Sequence, residues 1–180
     1  CQTNLGLGRA QNLGIQACRD EGMAMALLLD QDSIPQTGMV ETLLTALKKL
    51  TQVGNKVAAV GARYTGSHTG HRSFFVQYKR FRFQKCFCNY AETDQIIPAD
   101  MLISSGSLIP IPALDTIGEM DEELFIDHID TEWSLRARSL GWQSYGVCSA
   151  LMEHRLGEHI FRIWWGRWRY VSIHQPFRYY

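Results

Sequence analysis

The side chains in this chain best suited to chemistry lie in two acidic segments about a hundred residues apart, Asp30-Gln31-Asp32-Ser33 and Phe125-Ile126-Asp127-His128-Ile129-Asp130-Thr131-Glu132-Trp133. The first follows the apolar run 23–29, and a strand that ends in Asp-x-Asp delivers carboxylates to the edge where open α/β sheets bind ligands. Oxygen-preferring cations such as Mg²⁺ or Mn²⁺ suit that setting, so Asp30 and Asp32 are candidate metal ligands. In the second segment a helix would bring Asp127 and Asp130 to one side. Asp130 would then sit in the first turn, where the macrodipole favours the ionised form a general base needs. Plainer readings stand beside these. Asp30, Asp32 and Ser33 also suit a turn and a helix cap, and Asp130 with Glu132 suits an ordinary acidic first turn. An EF-hand loop, with Glu41 twelfth from Asp30, fails because Ile34 and Pro35 replace an oxygen ligand and the turn glycine. An aspartyl nucleophile of a phosphatase remains open.

Three further features gain meaning only in combination. His154, in Glu153-His154-Arg155-Leu156-Gly157, is a structural histidine or a third metal ligand with Asp32. Ser104-Ser105-Gly106-Ser107 offers hydroxyls and N–H groups to a sugar or phosphate, or is a tight turn. Trp133 either stacks on a sugar ring or packs in the core at helical spacing with Leu140.

The elements that must position these residues alternate. Residues 8–21 predict a helix with Ala10, Leu13, Gly14 and Ala17 on one face and Gly22 as its stop; residues 23–29 predict a buried strand. Pro35, capped by Ser33, starts a helix running to Leu50. Strands are predicted at 56–61, 101–103 and 142–147, and helices at 111–117 and 130–140. Residues 64–90 show no clean period and read as a long loop or irregular hairpin. Alternation of this kind favours an α/β sandwich with a largely parallel sheet.

Composition narrows the function classes. With 180 residues and 46% hydrophobic content the chain is one globular domain, without an apolar stretch of membrane-span length or a signal-peptide pattern. Five irregularly spaced cysteines argue against a disulfide framework and for a reducing, cytoplasmic setting. Zero net charge hides segregation: Arg63 to Lys85 holds six basic residues and no acid, Glu92 to Glu132 eleven acids and no Lys or Arg, and the segment after His154 is basic again. Basic patches suit anionic partners and the acidic middle a cation, although solvated faces explain any single run. Nucleic acid is not expected as a partner and stands as a weaker third candidate, because no recognisable reading helix or aromatic sheet organises the basic residues.

The order of segments resembles a known family. Asn4-x-Gly6-x-Gly8-x-Ala10-x-Asn12-x-Gly14, Leu27-Leu28-Leu29-Asp30-Gln31-Asp32-Ser33, Ser104-Ser105-Gly106, Phe125-Ile126-Asp127-x-x-Asp130-x-Glu132-Trp133-x-Leu135-Arg136-Ala137 and His154-x-x-Gly157 are similar to the inverting glycosyltransferases of family two. They most resemble its bacterial rhamnosyltransferases, and His174-Gln175-Pro176-Phe177-Arg178-Tyr179-Tyr180 is similar to the segment after the catalytic core of these enzymes. The resemblance implies the GT-A nucleotide-sugar transferase fold, a three-layer α/β/α arrangement around a mostly parallel sheet. It implies rhamnosyl transfer in cell-surface polysaccharide synthesis, from a nucleotide-diphosphate donor such as dTDP-rhamnose to a saccharide or lipid-linked acceptor. Carried across, Asp130 is the catalytic base. Asp32, His154 and Asp30 hold Mg²⁺ or Mn²⁺, and Asn4, Asn12 and Asp30 face the donor. Ser105, Gly106, Asp127 and Trp133 lie near the acceptor or sugar. Gln11 departs from the pattern, which often has arginine there.

Family members begin with strands that build the base-binding pocket, ahead of the position of Cys1. The expectation is therefore a single partial catalytic domain over 1–180, inactive in isolation, with a basic aromatic segment at 158–180. That segment suits either a membrane interface, at the inner face of the cell membrane, or an amphipathic helix packed on the core. A non-catalytic peripheral membrane or anion-binding module, built on the 63–85 patch and the tail, is the competing reading.

Overall fold

A computed structural model describes residues 5–65, 73–80, 82–89, 91–92, 94–154, 159–164 and 168–173, with backbone alone from 154 onward. The elements run α1 (Leu7–Asp20), β1 (Met25–Leu28), β2 (Ser33–Pro35), α2 (Met39–Gln52), β3 (Val57–Thr65), β4 (Phe74–Lys79), β5 (Arg82–Phe87), β6 (Ile96–Ala99), β7 (Ser107–Pro110) and α3 (Ile111–Ile117). A 3-10 turn (Glu122–Leu124), α4 (Ile129–Ser139), β8 (Gln143–His154), β9 (His159–Trp164) and β10 (Trp168–Ile173) follow. One six-stranded sheet has the order β1-β7-β3-β8-β2, with β6 also on β8. Strands β1, β3 and β8 run in one direction; β3 and β8 pair in parallel, while β7 lies antiparallel between β1 and β3.

Side-chain alternation, interrupted in β3 by an irregularity between Val57 and Val60, sends two sets of residues to opposite faces and so makes three layers. Val57, Val60, Leu108, Tyr145 and Val147 meet Met39, Leu43, Ala46 and Leu47, the buried stripe of α2. Ala58, Ala59, Ile109 and Cys148 face the other way, against Ile15 of α1, Leu114 of α3, and Ile129 and Trp133 of α4. Ala58 and Ala59 are small where three helices crowd the sheet.

Several sequence expectations need correction. Pro35 lies in β2, which pairs with the end of β8, and α2 starts four residues later, behind Gly38 at φ 81°. The buried face of α1 is Gly8, Gln11, Asn12 and Ile15, whereas Leu13 is exposed; a polar residue whose hydrogen bonds are met inside displaces the apolar stripe. Met101 makes only an isolated bridge, to Val76, and the strand is β7, which begins at the last serine of the Ser-Ser-Gly-Ser run. Residues 74–87 are a hairpin of β4 and β5. The 158–180 segment contains a second hairpin, β9–β10, in place of a helix.

Cys88 and Cys148 form a disulfide, against the expectation of none. They are 60 residues apart in sequence, so spacing carries no sign of a pairing that β8 creates by passing beneath the hairpin's exit. With that pair formed, cysteine usage no longer argues for a reducing compartment. Among the described residues, no helix is long and apolar enough to cross a membrane.

Closing a loop of this length is worth about 2–4 kcal/mol. Peptide mapping without reductant should recover Cys88 joined to Cys148, and reduction should lower stability to chemical denaturant by about that amount. Quantitative alkylation of both thiols in the oxidised protein would contradict the pairing.

Candidate active site

The turn between Ile103 and β7 is the joint of the site. Gly106 takes φ +80°, and a Cβ there would lie 3.0 Å from the Met152 sulfur and 3.1 Å from the Ala62 Cβ, so no larger residue fits without displacement. Its N–H donates to the Leu28 carbonyl at 2.8 Å and its carbonyl accepts from Ala62 N at 2.9 Å, strapping the turn to β1 and β3. The buried Ser105 hydroxyl accepts from the Asp30 N–H at 3.1 Å and lies 2.6 Å from the Ser33 hydroxyl. It thereby holds both ends of the Asp30–Ser33 turn. Next to it, Ser104 donates its N–H at 3.1 Å and its hydroxyl to the two carboxylate oxygens of Asp130. Adjacent serines thus hold the two acidic segments against one turn.

Asp130 occupies the first turn of α4 because the residues after it anchor the helix. Trp133, 4% exposed, donates its indole N–H to the Gly118 carbonyl at 2.8 Å. Arg136 grips Glu132 at 2.7 and 2.8 Å and donates to the Ile117 and Glu119 carbonyls at 2.8 and 2.7 Å. Gly118 must be glycine: at φ +95° its Cβ would sit 2.6 Å from the Arg136 guanidinium. A small cavity of about 20 Å³, lined by Leu28, Leu102, Met120 and Trp133 among others, borders the Asp130 carboxylate. Burial pushes the Asp130 carboxyl above the usual carboxylate range, and the side-chain and backbone bonds from Ser104 pull it part of the way back.

The loop before α4 is strained. Phe125 (φ 55°, ψ −63°) centres a γ-turn in which Ile126 N donates to Leu124 O at 2.6 Å, and His128 caps α4 at φ 66°. Gly6 and Gly8 let α1 press on this loop: a Cβ on either would lie 2.8 Å from the Phe125 or Asp121 carbonyl. Leu7 N donates to Phe125 O at 2.6 Å. Asp127, between the two strained residues, is exposed.

Asp30 and Asp32 leave the carboxyl end of β1, Asp30 half-buried and Asp32 exposed. The β2–β8 register sets Ser33 opposite His154, one residue from Asp32. Among the described residues, no three His, Cys, Asp or Glu side chains form a metal cluster. Two carboxylates two residues apart fit a hard cation that takes its remaining ligands from water and donor phosphates, and need no preformed cage.

Other expected site residues have structural roles. Asn12 is buried; its amide donates to Met120 O at 2.9 Å and Glu122 at 3.1 Å and its carbonyl accepts from Met120 N at 2.9 Å, so it ties α1 to the acidic loop and has no face for a donor. The Ser105 hydroxyl and the Gly106 backbone bond to the Asp30–Ser33 turn, Leu28 and Ala62, and Trp133 is core. Asn4 lies outside the described residues. Ser104 belongs to the same serine run as Ser105, and no local pattern distinguishes the serine that reaches across to Asp130.

No family model matches the chain. It is 28% identical over 179 residues to the dTDP-rhamnosyl transferase RfbF of Shigella flexneri, covering 98% of this chain and 57% of that protein. The chain therefore spans little more than half the length of that relative. Its structure is similar to the crystal structure of GalNAc-T7 with UDP, GalNAc and Mn²⁺, at a TM-score of 0.63 and 11% identity, over 84% of this chain and 30% of that one. The fold is that of the GT-A glycosyltransferases. In sequence the chain is rhamnosyltransferase-like.

Two measurements check this assignment of roles. Asn12→Ala should cost about 1–3 kcal/mol in denaturant unfolding, because the Met120 N–H and carbonyl lose their partners; unchanged stability would return Asn12 to a ligand role. In a carbon-13 titration the Asp130 carboxyl should ionise above the ordinary range. Ser104→Ala, by removing a bond that favours the charged form, should move it higher still. A downward move would contradict the geometry.

Proposed function

We propose that the chain is the acceptor-side and metal-binding part of an inverting glycosyltransferase, a partial catalytic domain over 1–180. It would move rhamnose from a nucleoside diphosphate donor, dTDP-rhamnose, to a hydroxyl of a saccharide or lipid-linked saccharide during cell-surface polysaccharide synthesis. The observation that carries the reading is the bracing of Asp130 and the Asp30–Ser33 turn by neighbouring serines. The sequence likeness to a dTDP-rhamnosyl transferase supports the choice of donor.

In this reading Asp130 accepts the proton of the acceptor hydroxyl as its oxygen attacks the anomeric carbon. A base whose pKa is raised toward neutrality takes that proton more readily than an ordinary carboxylate, provided the pH keeps it ionised. Exposed Asp127 hydrogen-bonds other acceptor hydroxyls and sets the angle of approach. Asp32, Asp30 and His154 would hold Mg²⁺ or Mn²⁺, and that cation would supply charge neutralisation for a departing diphosphate. The base on one face and the leaving group on the other give inversion at the anomeric carbon. The chemistry belongs on the cytoplasmic side, where nucleotide sugars are made, with peripheral contact to the membrane for a lipid-linked acceptor.

Asp130→Asn is the sharpest test, since the amide can still accept from Ser104 N–H and donate to its hydroxyl. Turnover by the whole protein should fall about 10²- to 10⁴-fold. Stability at neutral pH should hold or rise: the raised folded pKa means that ionised Asp130 destabilises the fold above that pKa, and Asn removes the cost. Full turnover in the variant would refute the base assignment. Asp127→Asn should raise the acceptor KM more than it lowers kcat. Thermal stabilisation by dTDP-rhamnose with Mn²⁺ should vanish in Asp32→Asn.

A further inference from the structure

The β4–β5 hairpin has no part in the glycosyl-transfer reading, yet it carries Lys79, Arg80, Arg82 and Lys85 and adjoins Arg138. An open cleft of about 480 Å³ at its tip is lined by Lys79, Arg80, Arg82 and Arg138 together with Tyr78 and Phe83. The carboxylate that faces it is Asp100, whose Oδ2 accepts from Tyr78 N at 2.7 Å and lies 3.3 Å from Arg138, fixing that guanidinium in the wall. Asp100 matches Arg138, and Lys79 and Arg82 leave the lining positive. Lys79 and Arg82 are direct cross-strand partners, and like charges placed opposite one another destabilise a hairpin. An anion between them turns that cost into a gain, and the forked guanidinium and ammonium donors match phosphate oxygens.

The face of the hairpin formed by residues 74, 76, 78, 83, 85 and 87 is aromatic. Tyr78 and Phe83 meet edge to face at 5.0 Å, Phe74 and Phe87 at 5.8 Å, and Lys85 sits 4.1 Å above the Phe74 ring. Phe83 is 72% exposed. The opposite face, which carries Lys79 and Arg82 near the tip, is anchored by buried Phe75 and by Gln77 on the Pro98 carbonyl at 2.7 Å, and Tyr78 and Phe83 bring the aromatic face to the same cleft. An apolar surface beside a basic cleft suits a ligand whose phosphate is attached to something greasy or planar.

We propose that this cleft binds a phosphate or diphosphate group, separately from the candidate donor site. The same chemistry arises from a lipid headgroup or from a soluble diphosphate, and the test separates the two. Inorganic pyrophosphate, with EDTA present so that no cation at Asp32 recruits it, is titrated calorimetrically into the whole protein. Vesicles of phosphatidylcholine with and without phosphatidylglycerol are used for co-sedimentation. Saturable pyrophosphate binding that weakens about tenfold or more in the Lys79→Ala/Arg82→Ala double variant supports a soluble phosphate ligand. Sedimentation only with phosphatidylglycerol vesicles, lost in that double variant and reduced in Phe83→Ala, supports a headgroup. The charge-preserving Lys79→Arg/Arg82→Lys variant should keep either activity, which separates loss of charge from loss of fold. Absence of both kinds of binding at physiological ionic strength, or binding that the double alanine variant retains, overturns the proposal. Because no arm measures sugar transfer, the result is independent of the function proposed for Asp130.

Discussion

One pair of neighbouring serines holds the site together. Asp130 and the Asp30–Ser33 turn come from distant parts of the chain; Asp130 accepts from the Ser104 N–H and hydroxyl, and the Ser105 hydroxyl accepts from the Asp30 N–H and meets the Ser33 hydroxyl. The turn is itself immobilised, through Gly106, on the carbonyl of Leu28 and the N–H of Ala62. Loosening the turn would therefore release both acids at once. The rest of the fold keeps it in place: β7 continues from it between β1 and β3, and Met152 of β8 closes over Gly106.

The carboxylate that faces the acceptor in the proposed reaction is in tension with its surroundings. Burial raises its pKa and the Ser104 bonds lower it, so the surrounding side chains set the pH at which a base is available. Half-burying an acid costs stability, and α4 offsets that cost with the Trp133 and Arg136 anchors to residues 117–119. The strained Phe125 and His128 lie in the loop pressed by α1, where the Asn12 bonds to Met120 keep the two from separating. Residues of the Asp130-x-Glu132-Trp133-x-Leu135-Arg136 segment thus divide between one acid for chemistry and several that hold its helix.

Much of this was legible in the sequence because local rules govern it. The apolar run before Asp30, the acidic first turn of α4, and the short α3 all appear where periodicity and capping place them. What escaped depends on long-range packing. Pro35 reads as a helix start, but β8 extends beyond Val147 to His154 and captures Ser33–Pro35 as an edge strand, where proline is tolerated. The buried face of α1 is polar because Asn12 finds partners in the 120–122 segment. Ser105, Gly106 and Trp133 have the chemistry of a sugar site and are enclosed by their neighbours. The Cys88–Cys148 pairing is invisible until β8 and the hairpin are adjacent.

In the proposed reaction a cation held at Asp32 and the base at Asp130 share one cleft, joined through the 104–106 turn. Paramagnetic broadening by Mn²⁺ of assigned amide signals tests it without any sugar donor. Titrated Mn²⁺ should broaden the signals of Asp32, Ser33, Ser104 and Asp130 together, and Asp32→Asn should abolish the effect at all four. Broadening at residues 32 and 33 that leaves 104 and 130 sharp, or broadening untouched by the substitution, would contradict it.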